Sequence, residues 1–372
     1  MAYFRVRPWY KKSSYIDDDK IYGVTWDGSA TNAWTRTDDA VGFTDPVPQM
    51  SDGNGGWTDG SSPFDNIMPW AGMEKVEDAD AGTLVAIPKF YFKLDYANPS
   101  ATVRGLKIQI SRQQFTGSQI SPAHMDRGDG AGERDVIYVG RYHCATSTYK
   151  STTGVMPQNN TNRANFRTNI KNLGTGIWPW DYATLLTIQF LYLVEFANWD
   201  SQAKIGYGNG VSSIVNMGAT DSMTYHTGTA QTDKTTYGAG VQYRNIEDLW
   251  ANLYDIVDGH RIFNHQLFIM KNPADFKETS GGTNVGTLPS TSNWISAYTI
   301  PQVSGFTWAM YVSGVSSTEI FDKAMLNNTA NAILVMGGYY YNRQREPGLF
   351  YLNQTQYSDA MSSFGCRIMK LP

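Results

Sequence analysis

Charge and cysteine are what this sequence has least of. Charged residues make up 17% of the 372 positions, below the roughly 25% usual for soluble domains. Lys and Arg number 30 against 34 Asp and Glu, for a net charge of −4. No basic patch stands out to displace counterions from phosphates, so nucleic acid is excluded as an expected partner. The two cysteines, Cys144 and Cys366, are too few for a disulfide framework in a chain this long. They read as buried free thiols, with a single bridge left open should the strands carrying them be neighbours. No apolar run reaches bilayer length, so no membrane insertion is expected. The first residues, Met1 to Lys12, contain Arg5, Arg7, Lys11 and Lys12 without an apolar stretch and do not read as a signal peptide. Histidine is scarce too: only His260 and His265 lie close, and a spacing of five on a loop is no metal pattern. No Ser-His-Asp or paired-carboxylate arrangement appears, so neither catalytic residues nor a cofactor are expected.

What is present points to strands. Hydrophobic residues reach 41% and aromatics 13%, and solubility rests on Ser, Thr, Asn and Gly. That surface is common in β-rich proteins working outside cells, yet nothing directs secretion. A virion component, made in a host cytoplasm and released by lysis, reconciles the two. Ile21–Trp26 and Leu84–Phe92 read as strands, and Leu106–Ile110 alternates with period 2. Met50–Asp65 is a Gly/Ser/Asp loop. A boundary is placed near residue 120, giving a β-rich unit at 1–119 for attachment or oligomerisation, and a larger unit at 120–372. Val136–Tyr142 reads as a strand. A helix is predicted from about Asn162 to Leu173, capped by Thr161 with Gly174 beyond its end. A second is predicted from about Asp181 to Trp199, capped by Asp181, apolar around most of its surface and therefore buried. Further strands are predicted at Gln266–Met270, Ala332–Met336, Leu349–Asn353 and Gly365–Leu371.

The segment from Met336 to Lys370 is the most informative. Its posts are Gly337, Gly338, Gly348, Phe350, Leu352, Gly365 and Arg367. Between them lie Tyr339, Tyr340, Tyr341, Asn342, Arg343, Gln344, Arg345, Tyr351, Asn353, Gln354, Gln356, Tyr357, Ser358 and Asp359. Tyr offers large contact area for little lost side-chain freedom, and Asn and Ser offer adaptable hydrogen bonds. Three consecutive tyrosines in a strand cannot all point inward. The segment reads as rigid strands displaying a ligand-binding face, in which Arg343 and Arg345 suit acidic or carbonyl-rich ligands. Tyr-rich, half-exposed sheets without a ligand are the bland alternative.

Several stretches resemble one group. Val139-Gly140-Arg141-Tyr142-His143 looks like its opening strand. Gln189 to Asn198, followed by Ser201-Gln202 and Ile205-Gly206, resembles its signature helix. Arg244-Asn245-Ile246-Glu247-Asp248-Leu249-Trp250-Ala251-Asn252 is similar to its R-G-x-E-N-x-W-G-N segment, with Ala251 in place of glycine. This is the C-type-lectin-like fold of the formylglycine-generating-enzyme superfamily and of phage variable receptor-binding proteins of the major-tropism-determinant type. The resemblance covers about residues 120–372. It implies an α+β fold: twisted antiparallel sheets with two helices, and adjacent first and last strands. It also implies a ligand face on the C-terminal strands, retroelement diversification of that face in some members, and a homotrimer. The function so implied is a phage tail-fibre tip adhesin binding a bacterial surface receptor, protein or glycan, alongside other phage tail proteins. A formylglycine-generating-type enzyme and a structural tail component are the alternatives; the enzyme branch uses a closely spaced cysteine pair, and Cys144 and Cys366 are far apart in sequence.

Three smaller features remain. The loop Asp126–Asp135 invites a Ca²⁺ reading, with a solvated turn favoured over it. Arg127-Gly128-Asp129 matches an adhesion tripeptide by chance, and Asp17-Asp18-Asp19 reads as a solvated turn. Glu195, on the buried helix, is expected to satisfy a buried donor, for which Arg367 is a candidate.

Overall fold

A computed structural model describes residues 19–29, 31–97, 105–210, 213–317, 322–326, 331–341 and 347–372. Among them the chain is mostly β-sheet with three short-to-medium α-helices, an α+β protein dominated by strands. A 14-stranded sheet holds, in neighbouring order, Leu352–Gln356, Asn331–Met336, Tyr254–Ile256, Phe364–Lys370, Val136–His143, Gly82–Pro88 and Lys75–Asp78. A 5-stranded sheet is built around Tyr22–Trp26, Leu106–Ser111 and Tyr91–Asp95, and a 4-stranded sheet joins Gln49–Met50 to Gly228–Thr229.

The expected run Leu84–Phe92 divides into two strands, Gly82–Pro88 and Tyr91–Asp95, that enter different sheets. The ladder to Val136–His143 runs one residue past Pro88, with the Lys89 N–H donating to the Asp135 carbonyl at 2.8 Å; the next carbonyl, of Phe90, already accepts from the Ser121 N–H at 2.9 Å on the side of the other sheet. The alternation of Leu106–Ser111 is realised, with Leu106, Ile108 and Ile110 fully buried.

Helix α1 spans Arg163–Lys171. Its cap is Asn162, not Thr161: the Asn162 side chain accepts from the Asn165 N–H at 2.9 Å, and the helix closes at Asn172. Helix α2 spans Tyr182–Phe196, every residue buried. Asp181 caps it as the sequence indicates, accepting from the Thr184 N–H at 2.9 Å. It stops short of Trp199 because Ala197 turns left-handed at φ 48°, and its carbonyl accepts from the Trp34 N–H at 2.8 Å. An unanticipated helix α3, Ser201–Lys204, follows with Asp200 as its cap.

Packing crosses the boundary expected near residue 120. Gly82–Pro88 pairs with Val136–His143, Leu84 opposite Gly140 through Pro88 opposite Val136, and one core runs from Tyr22 to Leu371. Helix α2 is the centre of that core. On one side Phe190 stacks on Phe92 at 5.1 Å. On the other, Tyr192 meets Phe350 at 6.0 Å, and the Gln189 side-chain amide donates to the Leu349 carbonyl at 2.9 Å.

Buried ions tie the elements together. Arg367, wholly buried, donates to the carbonyls of Gly140, Arg141 and Asp248 and to Asp255 Oδ2 at 3.3 Å. Glu195 pairs with Arg244 at 2.5 Å, not with Arg367, and also accepts from Tyr243 and Ser62. The expected partner was the wrong arginine because Arg367 is taken by the two strands flanking its own. Salt bridges link Arg163 and Arg167 to Asp258 and Glu278. Arg163, Asp258, Arg244, Glu195, Arg367 and Asp255 sit out of water and need their partners to stay there.

Candidate functional site

The chain leaves the large sheet at Gly337 and Gly338, both with left-handed φ of 80° and 71°. A Cβ on Gly337 would lie 2.6 Å from the Leu249 carbonyl oxygen, and one on Gly338 would lie 2.2 Å from Pro347. Only glycine allows both the turn and the close approach. The exit is clasped against the Trp250–Asn252 turn. The Ala251 N–H donates to the Gly337 carbonyl at 2.8 Å and the Tyr340 N–H to the Asn252 carbonyl at 3.1 Å. Ala251 itself sits at φ 67°, where glycine would be unstrained.

From this exit an aromatic column climbs out of the core. Tyr351 is buried, and its ring stacks with Tyr254 at 5.9 Å. Tyr254 stacks with Tyr339 at 4.8 Å, and Tyr339 with Tyr341 at 6.4 Å. Tyr340 meets both edge-on, at interplanar angles of 74° and 87°. Tyr339 and Tyr340 are half-buried, while Tyr341 is 61% exposed. Offset and edge-to-face pairs of this kind each add about 0.5–1.5 kcal/mol beyond burial, so the outer rings are held in place. Burial, then its neighbours Tyr340 and Tyr341, pushes the Tyr339 phenol up from its ordinary value, so it stays a hydrogen-bond donor.

Beside the column lies a groove of about 390 Å³, lined in part by Tyr254, Tyr339, Asn353, Gln356, Asp359 and Ser363. Its lining has one carboxylate and no Lys, Arg or His. Asp359 accepts from the Gln356 N–H at 3.0 Å and from the Thr355 hydroxyl, which fixes the bend after the Leu352–Gln356 strand. The geometry suits a polar ligand laid against aromatic rings.

The residues expected on the ligand face divide. Tyr339, Tyr340, Tyr341, Asn353, Gln356, Tyr357, Ser358 and Asp359 are exposed or half-buried around the column and bend. Tyr351 is not on the face: it is 1% exposed, sealed within the protomer. Gln354, 2% exposed, lies at the base of the groove among its lining residues. The strand starts at Leu352, not Leu349, because Gly348–Tyr351 forms a turn (Tyr351 N–H to Gly348 carbonyl, 3.1 Å). Asp322 and Ser201 hold that turn by accepting from the Phe350 and Leu349 N–H groups at 2.7 and 2.9 Å. Asn342, Arg343, Gln344 and Arg345 lie outside the described residues. The posts Gly348, Phe350, Leu352, Gly365 and Arg367 are all buried. Tyr254 and Ser363 were not anticipated. Tyr254 lies in a three-residue strand far upstream, and no local pattern marks it.

Other readings resolve as framework. In the acidic glycine loop, Asp126 accepts from the Gly128 N–H and Asp129 from the Ala131 N–H; Asp129 also pairs with Arg134, and Asp135 with Lys89. Among the described residues no group of three His, Cys, Asp or Glu is placed to hold a metal ion. Arg127 of the tripeptide is buried against Asp181 at 2.6 Å, so it is not displayed. Cys144, just past the end of Val136–His143, and Cys366, on the neighbouring strand, are buried free thiols, with the Cys144 N–H donating to the Cys366 carbonyl at 2.8 Å. Burial, then Cys144, pushes the Cys366 thiol well up from its ordinary value.

No family model matches this chain, and no curated protein matches it. Among solved structures, that of PvdO from Pseudomonas aeruginosa aligns over 81% of this chain and 98% of its own, at 10% identity and a TM-score of 0.36. A likeness that distant places the chain in no family.

Proposed function

We propose that this chain is a receptor-binding protein at the tip of a phage tail fibre, with a C-type-lectin-like C-terminal unit that grips a bacterial surface ligand. The observation that carries the reading is the aromatic column. Tyr rings anchored on a buried stack rise to an exposed Tyr341 beside a groove of carboxamides, hydroxyls and one carboxylate. A rigid aromatic anchor ringed by adaptable polar groups is how a recognition surface gains area at small entropic cost. The Tyr, Asn, Gln and Ser composition of the rim suits retroelement diversification, since each residue there can change without disturbing the posts beneath it.

Binding is favoured over thiol chemistry by the state of the candidate groups. Both thiols are sealed and Cys366 is held protonated, whereas a nucleophilic thiol needs exposure and a lowered pKa. Glu195 is committed to Arg244. In a homotrimeric tip mounted on other tail proteins, simultaneous engagement would raise weak single-site binding by about 10²–10⁴-fold.

Blocking the groove tests the reading. Gln356→Arg and Ser358→Arg, both at exposed positions, should abolish adsorption of the labelled protein to cells that bind the parent chain. Adsorption equal to the parent's, or no adsorption of the parent to any of a broad panel of bacteria, would refute it.

A further inference from the structure

A second groove, of about 550 Å³, shares no lining residue with the tyrosine groove. It lies where the Arg127–Gly128 turn meets the chain between the Gln266–Ile269 and Thr283–Thr287 strands, with Phe306 on one wall. We propose that it is a separate site for an anionic ligand bearing a carboxylate or phosphate group. The proposal stands independently of the tyrosine face.

Lys271 is the central observation. It is half-buried, its ammonium lies 4.7 Å over the Phe306 ring, and no carboxylate pairs with it among the described residues. Gly305, at φ 75°, leaves room for this: a Cβ there would lie 3.1 Å from Lys271 Nζ. Burial lowers the Lys271 pKa, the charge of Arg127 lowers it further, and Asp126 opposes them. A partly desolvated cation facing an aromatic ring, with another cation near it and no counter-ion in contact, is stabilised when an anion arrives.

The surroundings favour the same sign. Lys277, exposed on the groove wall, also has no ion pair among the described residues. The Arg127 charge is answered by Asp181, while Arg127 Nε is buried without a hydrogen-bond partner. Lys271 and Lys277 against the exposed Asp275 leave one surplus positive charge on the lining, in a chain whose net charge is −4. The Thr283 hydroxyl supplies a neutral donor, and Phe306 offers an apolar wall for the body of the ligand. The tyrosine groove, by contrast, has no basic residue in its lining, so the two sites select different chemistry.

The test is isothermal titration of the full chain with inorganic phosphate and, separately, sodium glucuronate. Sodium chloride at equal ionic strength and neutral glucose serve as controls. Binding of either anion above both controls is expected. Lys271→Met should weaken it about tenfold, the equivalent of one charge-assisted contact at 1.4 kcal/mol. Lys277→Gln should weaken it about two- to fivefold, as for an exposed charge. Phosphate binding alone would point to a phosphorylated ligand, glucuronate binding alone to an acidic sugar, and either supports the site. The Tyr340→Ala/Tyr341→Ala/Tyr357→Ala variant should keep anion binding whether or not it adsorbs to cells. No heat beyond the chloride control, equal affinity for glucose, or full affinity in a folded Lys271→Met/Lys277→Gln protein would overturn the proposal.

Discussion

Two nearby stretches of the C-terminal segment meet opposite fates. Phe364–Lys370 lies between Tyr254–Ile256 and Val136–His143 in the large sheet, with six of its seven residues buried. Tyr339–Tyr341, just beyond a strand of the same sheet, climbs from half-buried to 61% exposed within three residues. Composition does not separate them, since each is dominated by large side chains. What separates them is backbone: paired neighbours on both sides for one, and a double-glycine exit clasped to the Trp250–Asn252 turn for the other. A frame with few alternatives carries a display with many.

The contrast breaks most visibly in the frame. Arg367→Met leaves Asp255 buried without its arginine, with His143 Nε2 at 3.3 Å as its remaining ion-pair neighbour among the described residues. Denaturant unfolding should show a loss of about 3–5 kcal/mol, a large share of the roughly 5–15 kcal/mol typical of a domain. Glu195→Gln should cost less, about 3 kcal/mol, because Arg244 keeps a second carboxylate, Asp65, at 3.3 Å. The double variant should be additive, because the two arginines serve separate carboxylates. A loss under about 1 kcal/mol at Arg367 would show that the frame does not depend on that arginine.

Acid sharpens the comparison next. Burial holds His124 and His260 neutral with pKa values lowered to about 3. His124 is wedged between Ser121 Oγ at 2.5 Å and the Ile87 carbonyl at 2.8 Å. The unfolded chain takes up these protons near pH 6.5 and the folded chain does not until about pH 3. Stability should therefore be intact above pH 6.5 and fall progressively from there towards pH 3, each unit of depression corresponding to about 1.4 kcal/mol. Asp255 and Asp258, whose pKa values are lowered despite burial by their neighbours (His143 then Arg367, and Arg163 then Arg167), add a further loss below the ordinary carboxylate range. The rings of Tyr340, Tyr341 and Tyr357 carry no carboxyl or imidazole group, so removing them should not alter the profile. The smallest expected effect is at the clasp. Ala251→Gly should raise stability by up to about 1 kcal/mol by relieving the left-handed alanine, measured as a higher denaturation midpoint. A decrease would mean that the alanine methyl packs too well to lose.

Much of the frame was legible in the sequence and much of the site was not. Period-2 alternation marks Leu106–Ser111, and an apolar surface all round marks α2, because both patterns report burial directly. Asp181 as a cap follows from local chemistry alone. The division of Leu84–Phe92 hinges on a change of partner from Asp135 to Ser121 between Lys89 and Phe90, and the shift of the last-but-one strand on a turn held by Asp322 and Ser201, all remote in sequence. The same remoteness hid the Glu195–Arg244 pair. For the site, the tyrosine run and the polar bend at Gln356–Asp359 are visible as composition. Which tyrosines face outward depends on how the chain enters and leaves its strands, and Tyr351 falls on the inner side of the turn that Asp322 and Ser201 hold. Tyr254, which links buried and exposed rings, has no sequence signal at all.

The most direct measurement pairs two readouts on one protein, the Tyr340→Ala/Tyr341→Ala/Tyr357→Ala variant: its melting temperature, and its adsorption to bacteria that bind the parent chain. The account expects melting near the parent's, since these rings pack at the edge of the core, together with loss of adsorption. Undiminished adsorption by the folded variant would contradict it, because the outward aromatic display would then be ornament on a surface that binds elsewhere.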